Sequence, residues 1–226
     1  MNYNYFPNTF SPSGHLLQSE YASEAAKQGV ACVGVRASDG VVLVAENKSS
    51  ILEVAQPKIQ QISQRVACVL SGLSGDGKML VDQARRIAAN HKCSFGEEMR
   101  TEQLVSTLGA VMQRATQASG TRPYGASLMI GGFDNAARLF QCVPSGAADA
   151  LKAAAQGRGA EETRGALEQR YNDQLQLDGA VLVALLSLRA SFEGEMTAQK
   201  VEIAVCDAAG FRRLTAEQIA EHFARL

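Results

Sequence analysis

The sequence has no tryptophan, few aromatic residues and no long apolar run. A membrane-spanning helix needs about 18 consecutive apolar residues, and the longest run here, residues 180–186, is far shorter. The first residues also lack the basic segment and following apolar segment of a signal peptide. With 46% apolar and 20% charged residues, the composition is typical of a globular protein. We therefore expect no membrane partner.

An excess of one charge is also missing. Lys and Arg number 22 against 23 Asp and Glu, which gives a net charge of −1, and the basic residues do not cluster. This balance excludes a strongly basic nucleic-acid-binding surface. The five cysteines, Cys32, Cys68, Cys93, Cys142 and Cys206, include no CxxC pair. Their odd number and wide spacing argue against a disulfide framework or a zinc site, so we predict a reducing environment and no metal or cofactor.

Common catalytic motifs are absent as well, since there is no HExxH, Walker A or GxSxG pattern. The three histidines, His15, His91 and His222, are scattered, and surface or capping roles are the preferred interpretation. Residues 71–77 are glycine-rich before a helical pattern, an arrangement compatible with phosphate binding. This stretch lacks the Gly-Lys-Ser/Thr ending of a P-loop, so a plain turn between strand and helix is favoured.

The sequence does contain a regular series of apolar patterns. A helix is predicted over residues 16–28, where Leu17, Tyr21 and Ala25 share one face before Gly29. Apolar runs then predict strands, and apolar residues three or four apart predict further helices. After the first helix, the predicted order is four strands (30–36, 41–45, 58–62, 66–70), two helices, two strands (127–130, 138–143), two helices, one strand (201–206) and a last helix.

Strands and helices thus occur in blocks rather than in alternation. This order favours an α+β fold with antiparallel sheets and helices packed outside them. No internal repeat or linker divides the chain, and residues 147–165 show no clear period. Thr101 is predicted to cap the second long helix, and Thr215 with Gln218 forms a capping-box pattern for the last helix.

Specific motifs give a family resemblance. Residues 10–22 read FSPSGHLLQSEYA, which matches the pattern F-S-P-x-G-x-L-x-Q-x-E-Y-A of proteasome alpha subunits at every fixed position. Residues 116–128, TQASGTRPYGASL, resemble a second block of that family, and residues 168–172, 191–197 and 209–215 look like its eukaryotic type 2 members. The chain therefore resembles 20S proteasome alpha-type subunits over residues 3–224. It departs at residues 144–150, which lack the usual aromatics, and the loop 47–57 looks shorter than usual.

The resemblance implies a four-layer αββα sandwich of two antiparallel sheets, similar to the N-terminal nucleophile hydrolases. It implies an N-terminal gate arm and turn over residues 1–15, and one alpha-type domain over residues 16–226 that begins with the extension helix. The expected partners are neighbouring alpha subunits, beta-ring subunits, and the regulatory particle or other activators through their C-terminal tails. The expected function is ring formation and gating in ubiquitin-dependent and other proteasomal protein degradation, in the cytoplasm and nucleus.

The resemblance also implies that the chain is not catalytic. Active members of this fold use a threonine at a processed N-terminus, and its free amine acts as the base. Alignment of the first strand places Val30 at that threonine, Glu46 near the acid and Lys58 near the lysine. Valine has no nucleophilic atom, and the residues before it remain attached, so no free amine is expected there. Val30 therefore opposes the rival hypothesis of an active peptidase.

Four positions match the gate cluster of the family: Tyr3, Asn4, Pro12 and Tyr21. Asn4 stands where the family has an aspartate, and Tyr5 stands where it has an arginine. Asparagine accepts a hydrogen bond but not the charge-assisted one that a carboxylate accepts. We therefore expect this arm to order the gate less tightly than, or differently from, the family pattern. The alternative is a disordered terminus.

Three positions match the pocket in which the family binds activator tails: Gly29, Lys58 and Leu73. In the family a lysine there meets the carboxylate at the end of the tail. The alternative for Lys58 is an ordinary solvated surface lysine. A second rival hypothesis for the whole chain is a self-contained binding protein outside any proteasome.

Overall fold

The computed structural model describes residues 9–47 and 56–226. Within these ranges it has six α-helices and ten strands. The helices are α1 (Leu17–Lys27), α2 (Ser74–Phe95), α3 (Thr101–Gln117), α4 (Ala160–Arg170), α5 (Leu177–Arg189) and α6 (Ala216–Phe223). The strands are β1 (Cys32–Arg36), β2 (Gly40–Glu46), β3 (Ile59–Gln61), β4 (Val66–Gly72), β5 (Ala126–Phe133), β6 (Ala137–Cys142), β7 (Ala148–Ala150), β8 (Ala153–Gln156), β9 (Val201–Asp207) and β10 (Gly210–Arg213).

The strands form two antiparallel sheets of five strands each. Sheet A has the order β10-β9-β2-β1-β8, and sheet B has the order β3-β4-β5-β6-β7. Helices α4 and α5 pack on sheet A, whereas α2 and α3 pack on sheet B. A third cluster of buried side chains, which includes Leu43, Val69 and Met129, lies between the sheets. This arrangement confirms the predicted αββα sandwich.

The hairpin of β1 and β2 shows why this part of the sequence is so apolar. Its register pairs Val35 with Val42, and its turn closes where Ala37 N donates to Gly40 O at 2.8 Å. Every residue of β2 is buried, because the strand has a neighbour on each side and a packed layer on each face. A strand covered on both faces carries a continuous apolar run rather than an alternating one.

Three of the strands were not predicted from the sequence. β7 and β8 lie in the alanine-rich stretch that shows no period, and β10 follows the short turn after β9. Alanine has little intrinsic preference for strands, so the alanines of β8 give no local signal. β8 forms because it pairs with β1, as in the pair Ala155 and Val33, with Ala155 packed into the core beneath the outer helices.

Two local predictions need correction. Thr101 is the first residue of α3, which has Arg100 at its N-cap. Asp134 does the capping from the turn after β5, since Thr101 N donates to Asp134 Oδ2 at 3.0 Å. The buried positions of α1 are Ala22 and Ala26, so the predicted apolar face of Leu17, Tyr21 and Ala25 is offset from the core and remains partly or fully exposed.

The other helix predictions agree with the structure. Leu80, Ala84 and Ala88, apolar residues spaced four apart, lie on one side of α2 in the core against sheet B. The capping box of α6 is present, with Thr215 N donating to Gln218 Oε1 at 2.9 Å and Gln218 N donating to the Thr215 hydroxyl at 3.3 Å.

Candidate functional site

A cavity of about 790 Å³ opens beside the start of β1. It lies between that strand, the segment before β3, the end of β4 and the first turns of α2. Its lining includes Val30, Lys58, Leu70, Gly72, Lys78 and Arg85. The structure therefore brings two of the sequence-predicted positions, Val30 and Lys58, to one concave site.

The position that matches the nucleophile cannot attack a peptide. Val30 has a hydrocarbon side chain, and its nitrogen is an amide bonded to Gly29. The nearby thiol of Cys32 is no substitute, because it is buried and donates to Val30 O with a distance of 3.2 Å from Sγ. Burial above all, and then the charge of Glu46, raises the pKa of this thiol well above its ordinary value. Cys32 therefore stays protonated, and a protonated thiol is a weak nucleophile.

Glu46, which matches the acid position, forms an ion pair inside the structure. Its side chain is 4% exposed, and its Oε2 lies 3.3 Å from Nη2 of Arg158. A buried carboxylate needs such a partner because the loss of water around a charge is costly. Arg158 Nη1 also lies 3.9 Å from Oε2 of the exposed Glu193. The one arginine, which follows β8, therefore contacts two carboxylates.

The backbone around Lys58 is held by a residue that sequence reasoning missed. Glu202 of β9 accepts from Lys58 N at 2.6 Å and from Ile59 N at 3.4 Å. Arg213 of β10 donates Nε to Glu202 Oε1 at 3.0 Å and Nη2 to Ile59 O at 2.6 Å. The only local signal is an acid at the second position of β9, directly before four apolar residues. Glu202 and Arg213 thus fix the segment from which Lys58 projects.

Gly29 sits where no larger residue fits. A Cβ on Gly29 would lie 1.9 Å from Gly72 N and 2.2 Å from the Ser71 hydroxyl. The end of α1 can approach β4 this closely because glycine has no side chain, and the Ser71 hydroxyl donates to Ala26 O at 2.9 Å. Gly29 and Leu73 adjoin the cavity through their chain neighbours, Val30 and Gly72. Leu73 is 49% exposed.

The gate positions are only partly within the described residues. Tyr3 and Asn4 lie outside them. Pro12 is exposed in a turn that Ser11 closes, with Gly14 N donating to Ser11 O at 2.9 Å and His15 N donating to the Ser11 hydroxyl at 3.0 Å. Tyr21 of α1 is 52% exposed. The gate cluster therefore stays a prediction, with Pro12 and Tyr21 accessible on the surface of the chain.

Asp76 ties the start of α2 to the loop before β5. The guanidinium of Arg122 contacts both of its oxygens, at 2.6 and 2.9 Å, and Gly125 N donates to it at 2.8 Å. The hydrogen bonds from Arg122, above all, hold the pKa of Asp76 below its ordinary value. A carboxylate in the first turn already uses the favourable dipole of the helix N-terminus. This arrangement favours the plain-turn interpretation of residues 71–77 over a phosphate site.

Over residues 9–47 and 56–226, no group of three His, Cys, Asp or Glu side chains is arranged to hold a metal ion. None of the described helices is both long enough and apolar enough to cross a membrane.

Comparison with known proteins gives a consistent result. The proteasome subunit family matches residues 26–206. The chain is 49% identical to proteasome subunit alpha type-2 of Caenorhabditis elegans, over all of this chain and 99% of that protein. It is 42% identical to the protein of that name in Drosophila melanogaster, over 99% of this chain and 97% of the other. For the Saccharomyces cerevisiae protein the identity is 41%, over 90% of this chain and 84% of the other. The chain therefore belongs to the proteasome subunit family, among its alpha-type members.

Proposed function

We propose that this chain is a non-catalytic scaffold and gate subunit in the alpha ring of a 20S proteasome. The observation that carries the proposal is Val30, which stands beside the cavity with no nucleophilic atom and no free amine. Family membership supports assembly with other proteasome subunits. The partners we propose are neighbouring alpha subunits and beta-ring subunits, and the setting is protein degradation in the cytoplasm and nucleus.

The surface of α1 supports contact with a neighbouring alpha subunit. Only Ala22 and Ala26 of this helix are buried. Leu17 and Ala25 are partly exposed, and Tyr21 is about half-exposed. The apolar stripe beside the buried one is therefore only partly covered by the described part of the chain. Such a stripe is suited to bury apolar surface against a homologous subunit in a ring.

The position of Lys58 supports docking of activator tails. Lys58 lines the cavity, and Glu202 and Arg213 fix its backbone. A lysine ammonium group held in a concave site attracts a carboxylate and pairs with it through charge-assisted hydrogen bonds. The occupant that we propose is the C-terminus of an activator. Tyr3, Asn4, Pro12 and Tyr21 would then belong to the gate that such docking opens.

Two experiments test the proposal. Native mass spectrometry of the tagged chain from its own cells should find it in a large complex with alpha-type and beta-type subunits. A monomer, or an oligomer of this chain alone, would instead support a self-contained binding protein. Particles that carry Lys58→Gln should assemble normally but respond less to an activator tail peptide than wild-type particles do. An unchanged response would remove Lys58 from the docking site.

A further inference from the structure

The described residues that line the cavity beside Lys58 include more basic than acidic side chains. Three basic residues line it, Lys58, Lys78 and Arg85, together with one acid, Asp82. The acid pairs with the arginine, since Arg85 Nη1 lies 3.4 Å from Asp82 Oδ1. Among the described lining residues, the two lysine ammonium groups therefore remain without a charged partner.

Neutral acceptors lie beside Lys78 and, in addition to Asp82, beside Arg85. Lys78 Nζ donates to the amide oxygen of Gln56 at 3.2 Å. Arg85 likewise donates to Gln60 Oε1 at 3.0 Å and to Gln61 O at 2.9 Å. In the described part of the chain, neither Lys58 nor Lys78 forms an ion pair with a carboxylate. A concave site with unbalanced charge of one sign concentrates the field and attracts the opposite charge.

Lys58 and Lys78 are brought together at one short segment of the cavity lining. Lys58 stands on the segment before β3, and Lys78 reaches from α2 to Gln56, only two residues away. Two lysines that line one cavity suit a ligand with two carboxylates close together, such as the terminal and side-chain carboxylates at the end of a peptide.

We propose that Lys78 determines specificity in this pocket by forming, with Lys58, a paired cation site for a protein C-terminus that carries a second carboxylate. The ligand is a chain with Asp or Glu at its last or next-to-last position. The inference rests on the proposed role of Lys58 as the contact of the terminal carboxylate. When the last residue of the bound chain is neutral, Lys78 keeps its hydrogen bond to the Gln56 amide. When that residue is acidic, its carboxylate replaces the amide with a charge-assisted hydrogen bond.

The test uses assembled particles that contain the full chain and two fluorescent peptides that differ only in the last residue, Glu or Gln. Binding is measured by fluorescence anisotropy for wild-type particles and for Lys58→Gln, Lys78→Gln, Lys78→Arg and Lys92→Gln particles. Lys92 lies on the same helix but outside the cavity lining, so its variant is the matched control. The other subunits are unchanged in all five particles, so differences between the particles report on this pocket.

We expect wild-type particles to bind the Glu-ended peptide about fivefold more tightly than the Gln-ended one. This factor corresponds to about 1 kcal/mol, the upper end for a solvent-accessible ion pair. The preference should disappear in Lys78→Gln while affinity for the Gln-ended peptide stays the same. It should persist in Lys78→Arg and Lys92→Gln, and it should shrink as salt is raised.

Equal binding of the two peptides by wild-type particles, or a preference that survives Lys78→Gln, would overturn the inference about Lys78. Docking at Lys58 would stand in that case, provided that Lys58→Gln weakens both peptides. If Lys58→Gln particles bind both peptides as wild-type particles do, the docking proposal itself fails, and the role of Lys78 fails with it. Native mass spectrometry of each particle confirms that the variants have assembled.

Discussion

Glu202 accepts a hydrogen bond from the backbone N–H of Lys58, with 2.6 Å between Lys58 N and Glu202 Oε2. Glu202 belongs to β9 of sheet A, and Lys58 directly precedes β3 of sheet B. One carboxylate therefore joins the two sheets at the edge of the cavity. The two residues are 144 positions apart in the chain, so only the stacking of the sheets brings them together.

The first prediction concerns this contact. Glu202→Gln should weaken the apparent affinity of assembled particles for an activator tail peptide about threefold or more, although Lys58 itself is unchanged. The amide is a weaker acceptor for Lys58 N than the carboxylate is, and it removes the charged partner of Arg213. Hydrogen bonds to charged groups contribute about 1.5–3 kcal/mol, so the segment that carries Lys58 should lose its fixed position.

The measurement is peptidase stimulation against tail peptide concentration. Glu217→Gln is the matched control, because Glu217 is exposed on α6, away from the cavity lining. A positioning role predicts a shift in the apparent affinity for the tail with the same maximal stimulation. A dose–response curve identical to that of the wild type would refute the role assigned to Glu202.

The second prediction concerns the absent nucleophile. Val30→Thr should add no peptidase activity to the particle, because the nitrogen of residue 30 remains an amide bonded to Gly29 and cannot act as a base. Hydrolysis of fluorogenic peptides is measured after the beta-type active sites are blocked with a covalent inhibitor. New hydrolysis in Val30→Thr particles, above that of blocked wild-type particles, would show that the site can be activated by one substitution.

The third prediction compares two glycines. Gly29→Ala should displace the end of α1 from β4 and lower the amount of chain in assembled particles, because its Cβ would meet Gly72 N at 1.9 Å. Gly75→Ala is the control, since a Cβ there meets nothing within 4 Å and alanine favours a helix by up to about 1 kcal/mol over glycine. Quantitative mass spectrometry of purified particles measures both. Equal incorporation of the two variants would contradict the close packing at Gly29.

The fourth prediction concerns pH. Arg122 lowers the pKa of Asp76 below the ordinary value of 3.8, so the ionised carboxylate stabilises the folded state above that pH. This contribution is lost as pH falls through the lowered pKa of the folded state. Asp76→Asn should therefore cost about 1–3 kcal/mol of unfolding free energy at neutral pH. The difference from the wild type should shrink below pH 3.8.

Thermal and denaturant unfolding of the full chain across this pH range provides the measurement. Asp149→Asn is the control, because Asp149 is an exposed acid on β7 without an ion pair among the described residues. A difference between Asp76→Asn and the wild type that stays constant into the acid range would mean that the charge of Asp76 does not stabilise the fold.

Much of the fold could be predicted from local sequence. Local sequence predicts β1, β2 and β4 from their apolar runs and the capping box from Thr215 and Gln218. Each of these features depends only on residues that are neighbours in the chain. The alanines of β8 carried no such signal, and that strand forms only because β1 offers it a paired edge. The cap of α3 was misassigned for a related reason, since Asp134 reaches Thr101 from 33 positions away.

The sequence by itself determined the family, the block order of strands and helices, and the presence of a valine, Val30, where the family resemblance matches the nucleophile. Each of these features depends on single residues or short runs, so it can be predicted without knowing which distant residues are in contact. The tertiary structure alone decided which side chains share the cavity, that Glu202 fixes the backbone of Lys58, and that Lys58 and Lys78 lack charged partners among the described residues. These relationships join residues from different elements and both sheets, and hydrogen bonds and charge balance between distant residues exist only once the sheets have stacked.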